Sequence, residues 1–337
     1  MSIKNVYVLC PKGVKTGGPE LLHQLVFTIN MLNIGPRAYL TYTSETSGAT
    51  PVEAYREYIG DSGIEQEQIE DKSENVIVFP ETSLNLMRNF RNAKKYIWWL
   101  SVDNFLAKER VSTFSGYRKE RGVLRAIKHA LTGDLYSTDA AIGSAEKHLC
   151  QSAYAIGYVK SRGISDDKIV YLADYINDMY VENSSEYAKC DKISRVLYNP
   201  KKGKEFTQKL IDAAPNNIEW VPLINLTNAQ VADYLSTSKL YIDFGNHPGM
   251  DRFPREAAIC GCCVITDKRG SAKFKEDVNI PDQYKFEDKE ENIPAILEQI
   301  EYCLDNYDVA IKDFENYRNI IKGQKAKFVE DVNKIFR

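Results

Sequence analysis

The sequence lacks any run of about 18 apolar residues, the length that a helix needs to cross a bilayer. Its first residues also lack the basic stretch, the apolar core and the small-residue cleavage site of a secretory signal. We therefore predict a cytoplasmic protein without membrane-spanning helices. Peripheral contact with the inner face of the membrane stays open.

Neither sign of charge is in excess, because 44 basic residues stand against 47 acidic ones and the formal net charge is −3. Such a balance does not attract polyanions, so nucleic acid is not an expected partner. The sequence also contains no internal repeat and no low-complexity tract. Its 337 residues, 43% of them hydrophobic, are enough for two domains.

Cysteine is sparse and odd in number, at seven residues. The dense run Cys260-Gly-Cys262-Cys263 suggests a metal or redox cluster at first sight. However, Cys262 and Cys263 are neighbours in a predicted strand and would point to opposite faces, which argues against shared ligation. We predict buried thiols in a reducing compartment and no bound metal or cofactor.

Strand-like apolar runs alternate with amphipathic helical stretches, a pattern typical of parallel sheets covered by helices. The predicted strands are 6–10, 38–42, 75–80, 96–102, 136–138, 147–152, 168–172, 195–198, 218–222, 240–244 and 263–266. The polar stretch 182–192 is predicted as an interdomain linker. The fold class is therefore predicted as α/β, with two doubly wound Rossmann-like domains facing a cleft that holds the site.

The first candidate ligand-binding segment is Thr16-Gly-Gly-Pro-Glu20, between the first strand and a helix. Gly17 and Gly18 allow close approach of the backbone to a ligand and supply N–H donors. The alternative is a tight strand-to-helix turn. Because the spacing is not GxGxxG, a nicotinamide site is not favoured.

The second candidate segment follows the strand 195–198. Lys201 and Lys202 lie at the C-terminal end of that strand, beside a helix N-terminus, where they would meet a diphosphate as point charges. A solvated lysine-rich turn is the alternative.

The third candidate segment, 247–266, consists of a Gly/Pro loop, a short helix, a glycine stop and a buried strand. Unpaired N–H groups and the helix dipole favour an anion at such a helix start. Arg252 and Arg255 offer planar forks for phosphate, and Glu256 suits ribose hydroxyls. The alternative is that Asp251 caps the helix while Arg255 and Glu256 are surface charges.

At this point the chain resembles a known family. Glu256-Ala-Ala-Ile-Cys-Gly-Cys-Cys-Val-Ile-Thr266 resembles the Glu-Ala-Met-Ala-Cys-Gly-x-Pro-Val-Ile stretch of GT-B glycosyltransferases of the large, retaining family-four type. Thr16-Gly-Gly-Pro-Glu20 looks like their N-terminal glycine loop, and Leu172-Ala-Asp-Tyr-Ile-Asn-Asp178 is similar to the stretch that closes their first domain. Lys202-Gly203 falls at the Lys-Gly of their second domain, and Lys268-Arg-Gly-Ser-Ala272 at a donor-contacting glycine turn.

The resemblance implies the GT-B fold and metal-independent transfer of a sugar from a nucleotide donor, with a UDP- or GDP-sugar most expected. It implies a glycan or lipid-linked glycan acceptor in bacterial surface polysaccharide or glycoconjugate synthesis. The implied domains are an acceptor domain over 1–181 and a donor domain over 193–320. A final helix over 321–337 would pack back on the first domain.

The resemblance also implies roles for single residues. Glu256 would bind the donor ribose, while Lys202 and Arg252 would neutralise the leaving diphosphate. The other predicted donor-binding residues are Gly17, Gly18, Asn199, Lys201, His247, Gly249, Asp251, Arg255, Gly270 and Ser271. Pro248 stands where the family carries an earlier glutamate, so the choice between retention and inversion stays open.

An inverting reaction needs a general base near the acceptor hydroxyl. Asp103 follows the strand 96–102 at its C-terminal end and is the predicted catalytic base, with a helix-capping role as the alternative. His23, just past the glycine loop, is a second candidate. Two other functions stay open, namely a nucleotide-sugar 2-epimerase of the same fold and a catalytically silent relative that binds sugar nucleotides.

Overall fold

A computed structural model describes residues 2–13, 16–43, 53–60, 63–131 and 135–337. Contacts divide the chain into a first unit, Met1–Ala173 with Lys327–Arg337, and a second unit, Asp174–Ala326. The predicted domain bounds and the predicted linker stay predictions, and a short helix, Ser184–Tyr187, lies within that linker stretch.

The first unit contains a six-stranded parallel sheet in the order β2-β1-β3-β4-β5-β6. Its strands are β1 Asn5–Pro11, β2 Arg37–Thr43, β3 Val76–Pro80, β4 Lys94–Trp99, β5 Lys147–Cys150 and β6 Ile169–Tyr171. Its helices are α1 Gly17–Leu32, α2 Arg56–Ile59, α3 Val102–Ser112, α4 Phe114–Arg121, α5 Val123–Leu131, α6 Thr138–Gly143 and α7 Ala153–Ser161.

The second unit contains a five-stranded parallel sheet in the order β11-β10-β9-β7-β8. Its strands are β7 Ile193–Tyr198, β8 Glu219–Pro222, β9 Ser238–Asp243, β10 Cys263–Asp267 and β11 Lys285–Phe286. Its helices are α8 Asp178–Glu182, α9 Ser184–Tyr187, α10 Lys204–Ala213, α11 Asn228–Ser236, α12 Arg252–Ile259, α13 Ile293–Asp305 and α14 Tyr307–Ala310. The last helix is α15, Glu315–Phe336.

The central strands are continuous apolar runs because a parallel sheet covered by helices is buried on both faces. Every residue of β3 and of β10 is buried, and the core of each unit lies on both sides of its sheet. This arrangement confirms the predicted α/β class with two parallel sheets. The prediction of a strand over 136–138 is wrong, because Ser137 accepts a hydrogen bond from the N–H of Ala140 and starts α6.

The last eleven residues, Lys327–Arg337, belong to the first unit. There the Phe328 ring stacks on Trp98 with centroids 6.3 Å apart, and the Phe336 ring lies 6.1 Å from that of Tyr96. Both phenylalanines are buried. The apolar side of this segment is thus occupied within the protein.

All seven cysteines are free, and six are buried, as predicted. The Cys262 thiol donates to the carbonyl oxygens of Leu235 and Ser238, at 3.0 and 3.3 Å. Among the helices that the structure describes, none combines the length and the apolar character needed to cross a membrane.

Candidate functional site in the second unit

Three loops at the carboxyl edge of the second sheet bring most of the predicted donor-binding residues together. They are 199–203 after β7, 244–251 after β9 and 268–271 after β10. Because β7, β9 and β10 are adjacent and parallel, their C-terminal ends meet at one edge. The first loop leads into α10 and the second into α12, so both loops end at helix N-termini.

Glycines let these loops pack backbone against backbone. Gly203 has φ +53°, and a Cβ there would lie 1.9 Å from the carbonyl oxygen of Phe244. Gly270 has φ +49°, and its Cβ would lie 2.0 Å from the carbonyl oxygen of His247. Only glycine fits both the positive φ and the close approach. The N–H of Ser271 also donates to the His247 carbonyl at 2.9 Å.

Lys202, in the first loop, lies between the carboxylates of Asp243 and Asp251. Its Nζ is 2.5 Å from Asp251 Oδ2 and 3.3 Å from Asp243 Oδ1. Asp243 is buried, whereas the side chains of Lys202 and Asp251 are 21% and 23% exposed. The Lys202 side chain is therefore held by two carboxylates and remains partly exposed.

His247 joins Lys202, Asp243 and Asp251 in one charged cluster and is fully buried. Its Nδ1 is 2.7 Å from Asp251 Oδ2, and its Nε2 is 3.4 Å from Asp267 Oδ1. Asp267 accepts the N–H of Gly245 at 2.6 Å and that of Arg269 at 3.0 Å. Asp267 thus holds the second and third loops together.

The cluster shifts the ionisation of its members. Burial lowers the pKa of His247, but Asp243 and Asp251 outweigh it and raise that pKa above its usual value. Burial likewise opposes the charge on Lys202, yet the same two carboxylates raise its pKa. Asp251 keeps a lowered pKa because His247 and Lys202 offset its burial. Burial raises the pKa of Asp267 to about 6. Lys202 therefore stays charged.

Asp243, His247 and Asp251 also form a group that could ligate a metal, because their ligand atoms lie within 4.8 Å of one another. The ammonium of Lys202 contacts two of these three residues. The positive charge of Lys202 therefore already balances the carboxylates of Asp243 and Asp251. Metal-independent chemistry stays a prediction.

Helix α12 begins at the cluster. Asp251 is its N-cap residue but makes no side-chain capping bond, because its carboxylate faces Lys202 and His247. Glu256 is only 9% exposed, and Arg255 is fully buried. The alternative of a capping aspartate followed by surface charges is therefore wrong. Burial raises the pKa of the Tyr180 hydroxyl. The charge of Glu256 raises this pKa further and that of Arg252 lowers it, so both charged groups lie near Tyr180.

Arg255 is placed differently from its predicted role as a donor ligand. Its Nη2 donates to Asp174 Oδ2 and to the carbonyl of Met250, both at 2.8 Å. Its Nε donates to the carbonyl of Asp251 at 3.1 Å, and its Nη1 to Gln324 Oε1 at 3.1 Å. The guanidinium thus holds the second loop in position from inside the unit.

The remaining predicted residues of this unit shape the loops. Asn199 Oδ1 accepts the N–H of Lys201 at 3.0 Å and tightens the first loop, leaving Lys201 exposed. The Ser271 hydroxyl donates to the carbonyl of Gly249. Backbone contacts therefore account for the positions of Gly249, Gly270 and Ser271.

The predicted residues of the first unit lie at the carboxyl edge of its own sheet. Gly17 and Gly18 start α1, and a Cβ on Gly18 would lie 3.8 Å from a Leu100 methyl group. Residues 14 and 15, just before the predicted glycine loop, lie outside the described residues. Asp103 accepts the hydroxyl of Tyr154 at 2.8 Å, and the helix cap of α3 is Ser101 instead.

His23 is buried with both ring nitrogens engaged. Its Nδ1 donates to the carbonyl of Pro19 at 2.6 Å, and its Nε2 lies 2.8 Å from the Tyr42 hydroxyl. Burial lowers its pKa. These contacts give the imidazole a structural role and leave Asp103 as the candidate base.

Three acidic residues at the ends of strands were not predicted as site residues from the sequence. Asp243 ends β9 and Asp267 ends β10, while Glu81 directly follows β3 in the first unit. Burial raises the pKa of Glu81 to about 7, and its carboxylate accepts the N–H of Leu100 at 3.0 Å. An acidic residue directly after a buried apolar strand is the signal that could have found them.

A cavity of about 690 Å³ lies elsewhere in the first unit, where α3, α4 and the segment 135–139 meet. Thr113, Thr138 and Arg162 are among its lining residues. None of the predicted site residues lines it.

No protein-family model matches this chain, and no curated protein does. A solved structure of Anabaena Alr3699/HepE with UDP-glucose has a TM-score of 0.63 and 13% identity, covering 98% of each chain. Sucrose-phosphate synthase from Thermosynechococcus elongatus has a TM-score of 0.66 and 12% identity over 99% of this chain and 98% of its own.

The lipopolysaccharide outer core galactosyltransferase WaaB gives a TM-score of 0.61 at 10% identity over 97% of this chain and 99% of its own. A putative UDP-N-acetylglucosamine 2-epimerase from Listeria monocytogenes reaches 0.50 at 10% identity, covering 94% of this chain and 91% of its own. At such identities the likeness concerns the fold alone. With its two parallel α/β units, this chain has the GT-B fold of these glycosyltransferases.

Proposed function

We propose that this protein is a glycosyltransferase that takes a sugar from a nucleotide-sugar donor, with the donor bound at the three loops of the second unit. The acceptor is a glycan or a lipid-linked glycan of a surface polysaccharide or glycoconjugate. The observation that carries the proposal is the partly exposed Lys202 side chain, held by Asp251 beside the N-terminus of α12. Solved structures of the same fold with UDP-glucose or UDP support it.

The proposed chemistry is loss of a nucleoside diphosphate from the anomeric carbon as the acceptor oxygen bonds to that carbon. Negative charge grows on the leaving diphosphate, so fixed positive groups lower the barrier. Lys202 and Arg252 supply the charge, and the N-terminus of α12 adds the favourable end of a helix dipole. Asp243 and Asp251 keep Lys202 protonated and in position. Glu256 binds the donor ribose.

The proposed acceptor side is the carboxyl edge of the first sheet. An inverting reaction requires a base that accepts the proton of the attacking hydroxyl. Asp103 is the candidate, and its bond from the Tyr154 hydroxyl orients its carboxylate. Whether the reaction inverts or retains is decided by the anomer of the product.

The second candidate function is a nucleotide-sugar 2-epimerase, which the fold likeness to the Listeria protein favours. An epimerase converts its sugar without an acceptor and needs groups that move a proton at carbon 2. Buried Glu81, with a pKa of about 7, is a group of that kind. A catalytically silent relative is the third alternative.

A panel of nucleotide sugars distinguishes the three functions. The protein is screened by thermal shift against UDP-, GDP-, CMP- and dTDP-sugars, and nucleoside diphosphate release and the sugar's NMR spectrum are then followed. Release that increases with a glycan acceptor supports a transferase. Sugar conversion without acceptor supports the epimerase, and binding without turnover supports the silent relative.

Neighbouring lysines provide a matched pair of variants. Lys202→Met should lower turnover about a hundredfold or more, because one charged donor to the leaving group is lost. Lys201→Met, in the same loop but exposed, should change turnover less than about threefold. Equal effects of the two substitutions would contradict the assigned role of Lys202.

A further inference from the structure

The outer surface of α4 and α5 is unusually apolar for an exposed part of this protein. Thirteen large apolar side chains among the described residues are exposed, and six of them lie between 111 and 131. These six are Val111, Phe114, Val123, Leu124, Ile127 and Leu131. A concentration of this kind marks an interaction surface, whereas single exposed apolar residues are ordinary.

The apolar side chains of α5 form one arc that points away from the protein. At about 100° per residue, Val123, Leu124, Ile127 and Leu131 fall within an arc of about 100°. Leu124 and Leu131 are each 84% exposed. Ala126, on another side of the helix, is fully buried and marks the side that packs inward. The helix is therefore amphipathic with its larger apolar residues turned outward.

Basic side chains surround the arc. Between 110 and 131 the sequence has six lysines and arginines against one glutamate, in a chain with a formal net charge of −3. The six are exposed, and within the described part of the chain none of them forms an ion pair. They are Arg110, Arg118, Lys119, Arg121, Arg125 and Lys128. We call the α5 arc together with these residues the basic apolar face.

Local contacts fix the two helices. Thr113 Oγ1 accepts the N–H of Gly116 at 3.1 Å and caps α4. A Cβ at Gly116 would lie 2.5 Å from the carbonyl oxygen of Arg110, so the glycine allows α3 and α4 to approach closely. The rings of Tyr117 and His129 lie 4.5 Å apart and join α4 to α5. The basic apolar face thus belongs to helices with defined caps and packing.

We propose that the basic apolar face binds the surface of a membrane that contains anionic lipid. An amphipathic helix with basic residues beside its apolar arc lies in the interface plane, with the arc among the acyl chains and the cations at the headgroups. Apolar burial and attraction to anionic lipid then act together. This inference goes beyond the proposed function and does not rest on it.

Two other arrangements fit less well. A symmetric contact with a second copy would place the same six cations opposite one another, and like charges repel. The C-terminal segment Lys327–Arg337 has its apolar residues buried in the first unit, so it offers no comparable surface. Charge complementarity therefore selects an anionic lipid surface.

The test is vesicle flotation of the full chain. Phosphatidylcholine vesicles are compared with vesicles that contain about one-third phosphatidylglycerol, at low and high salt. We expect at least about tenfold stronger binding to the anionic vesicles and a severalfold loss at high salt. Equal binding to both vesicle types, or binding to neither, overturns the proposal.

Variants locate the surface. Leu124→Asp with Leu131→Asp should lower binding about tenfold or more, because both apolar side chains then resist burial. The control is Met31→Asp with Val309→Asp, two exposed apolar residues elsewhere (53% and 58%). Arg121→Glu with Lys128→Glu should also weaken binding, whereas Lys312→Glu with Lys322→Glu should not. Circular dichroism and thermal unfolding show that each variant is folded.

Two results would overturn the assignment to this face. One is vesicle binding that the α5 variants leave unchanged while their controls behave as wild type. The other is self-association, measured by sedimentation, that Leu124→Asp with Leu131→Asp abolishes in a protein that binds no vesicles. That second result assigns the face to a second copy of the chain.

Discussion

The imidazole of His247 is buried between carboxylates. Burial alone would keep the ring neutral, but Asp243 and Asp251 raise its pKa above the usual value. A group whose pKa is raised by folding stabilises the protein fully below the pKa of the unfolded chain, and that contribution is lost as the pH rises through the folded pKa. The cluster should therefore be most stable when His247 is protonated.

His247→Gln tests this pH dependence. Wild type should be more stable than the variant at pH 6, and the difference should shrink as the pH rises from about 6.5. Thermal unfolding from pH 5.5 to 9 measures it. His129→Gln, outside the cluster, is the control. A difference between wild type and His247→Gln that does not change with pH would show that folding leaves the pKa of His247 unshifted.

Glu256→Ala should raise the dissociation constant of the nucleotide about tenfold or more, since a hydrogen bond to a charged group is worth about 1.5–3 kcal/mol. Isothermal titration with UDP and with its deoxyribose analogue measures the effect. If Glu256 holds the ribose, the penalty of the substitution shrinks with the analogue. The matched control is Glu298→Ala on the exposed side of α13. A penalty of the same size with both ligands would contradict the ribose contact.

Arg255 shows what the sequence cannot reveal about a single side chain. It lies among charged residues at a helix start, a pattern that predicts phosphate binding. The structure places it against Asp174, which is 81 residues away along the chain. Spacing along the sequence carries no sign of such a partner. Lys202, His247 and Asp251 were foreseeable because loops after parallel strands meet at one edge.

Among the elements, the strands were the most predictable, because a buried parallel strand is a continuous apolar run between turn residues. The predicted strand 263–266 is observed as Cys263–Asp267, one residue longer at its C-terminal end. Helices α4 and α5 were not predicted. Their larger apolar residues face outward, so the usual inward periodicity is absent. Strand β11 has only two residues and leaves no pattern.

Gly203→Ala tests how the loops pack on one another. The new Cβ would meet the carbonyl of Phe244 at 1.9 Å, and the φ of +53° is itself unfavourable. We expect a loss of about 3 kcal/mol or more in the free energy of unfolding. Gly163→Ala is the control, with φ +78° and no atom within 4 Å of the new Cβ, and should cost about 1 kcal/mol. Urea denaturation compares them, and equal losses would mean that the backbone contact is not limiting.

Across the whole molecule, the last eleven residues complete the first unit although they follow the second unit in the chain. Phe328 stacks on Trp98 within the buried core. The return of the final helix to the first unit was predicted from the family resemblance. Its composition gives no such indication, because charged residues alternate along the helix. Its apolar side becomes evident only when Trp98 and Tyr96 are placed beside it.

Phe328→Ala should lower the stability of the first unit by about 3–5 kcal/mol, the usual cost of deleting a buried aromatic ring. Tryptophan fluorescence during urea unfolding measures it, in a Trp220→Phe background so that only Trp98 and Trp99 report. Phe27→Ala, at a ring that is 37% exposed, is the control and should cost about 1 kcal/mol or less. Similar losses for the two substitutions would mean that Phe328 is not part of this core.

The close packing of Gly203 on Phe244 and of Gly270 on His247 has a consequence for engineering. Loops that contact only solvent can be exchanged one at a time between related proteins. Here the backbone of the second loop packs directly against glycines of the first and third loops. If one loop alone were replaced, its new side chains would clash with the backbone of the neighbouring loop. To change the ligand preference by exchanging loops, all three loops would have to be exchanged together.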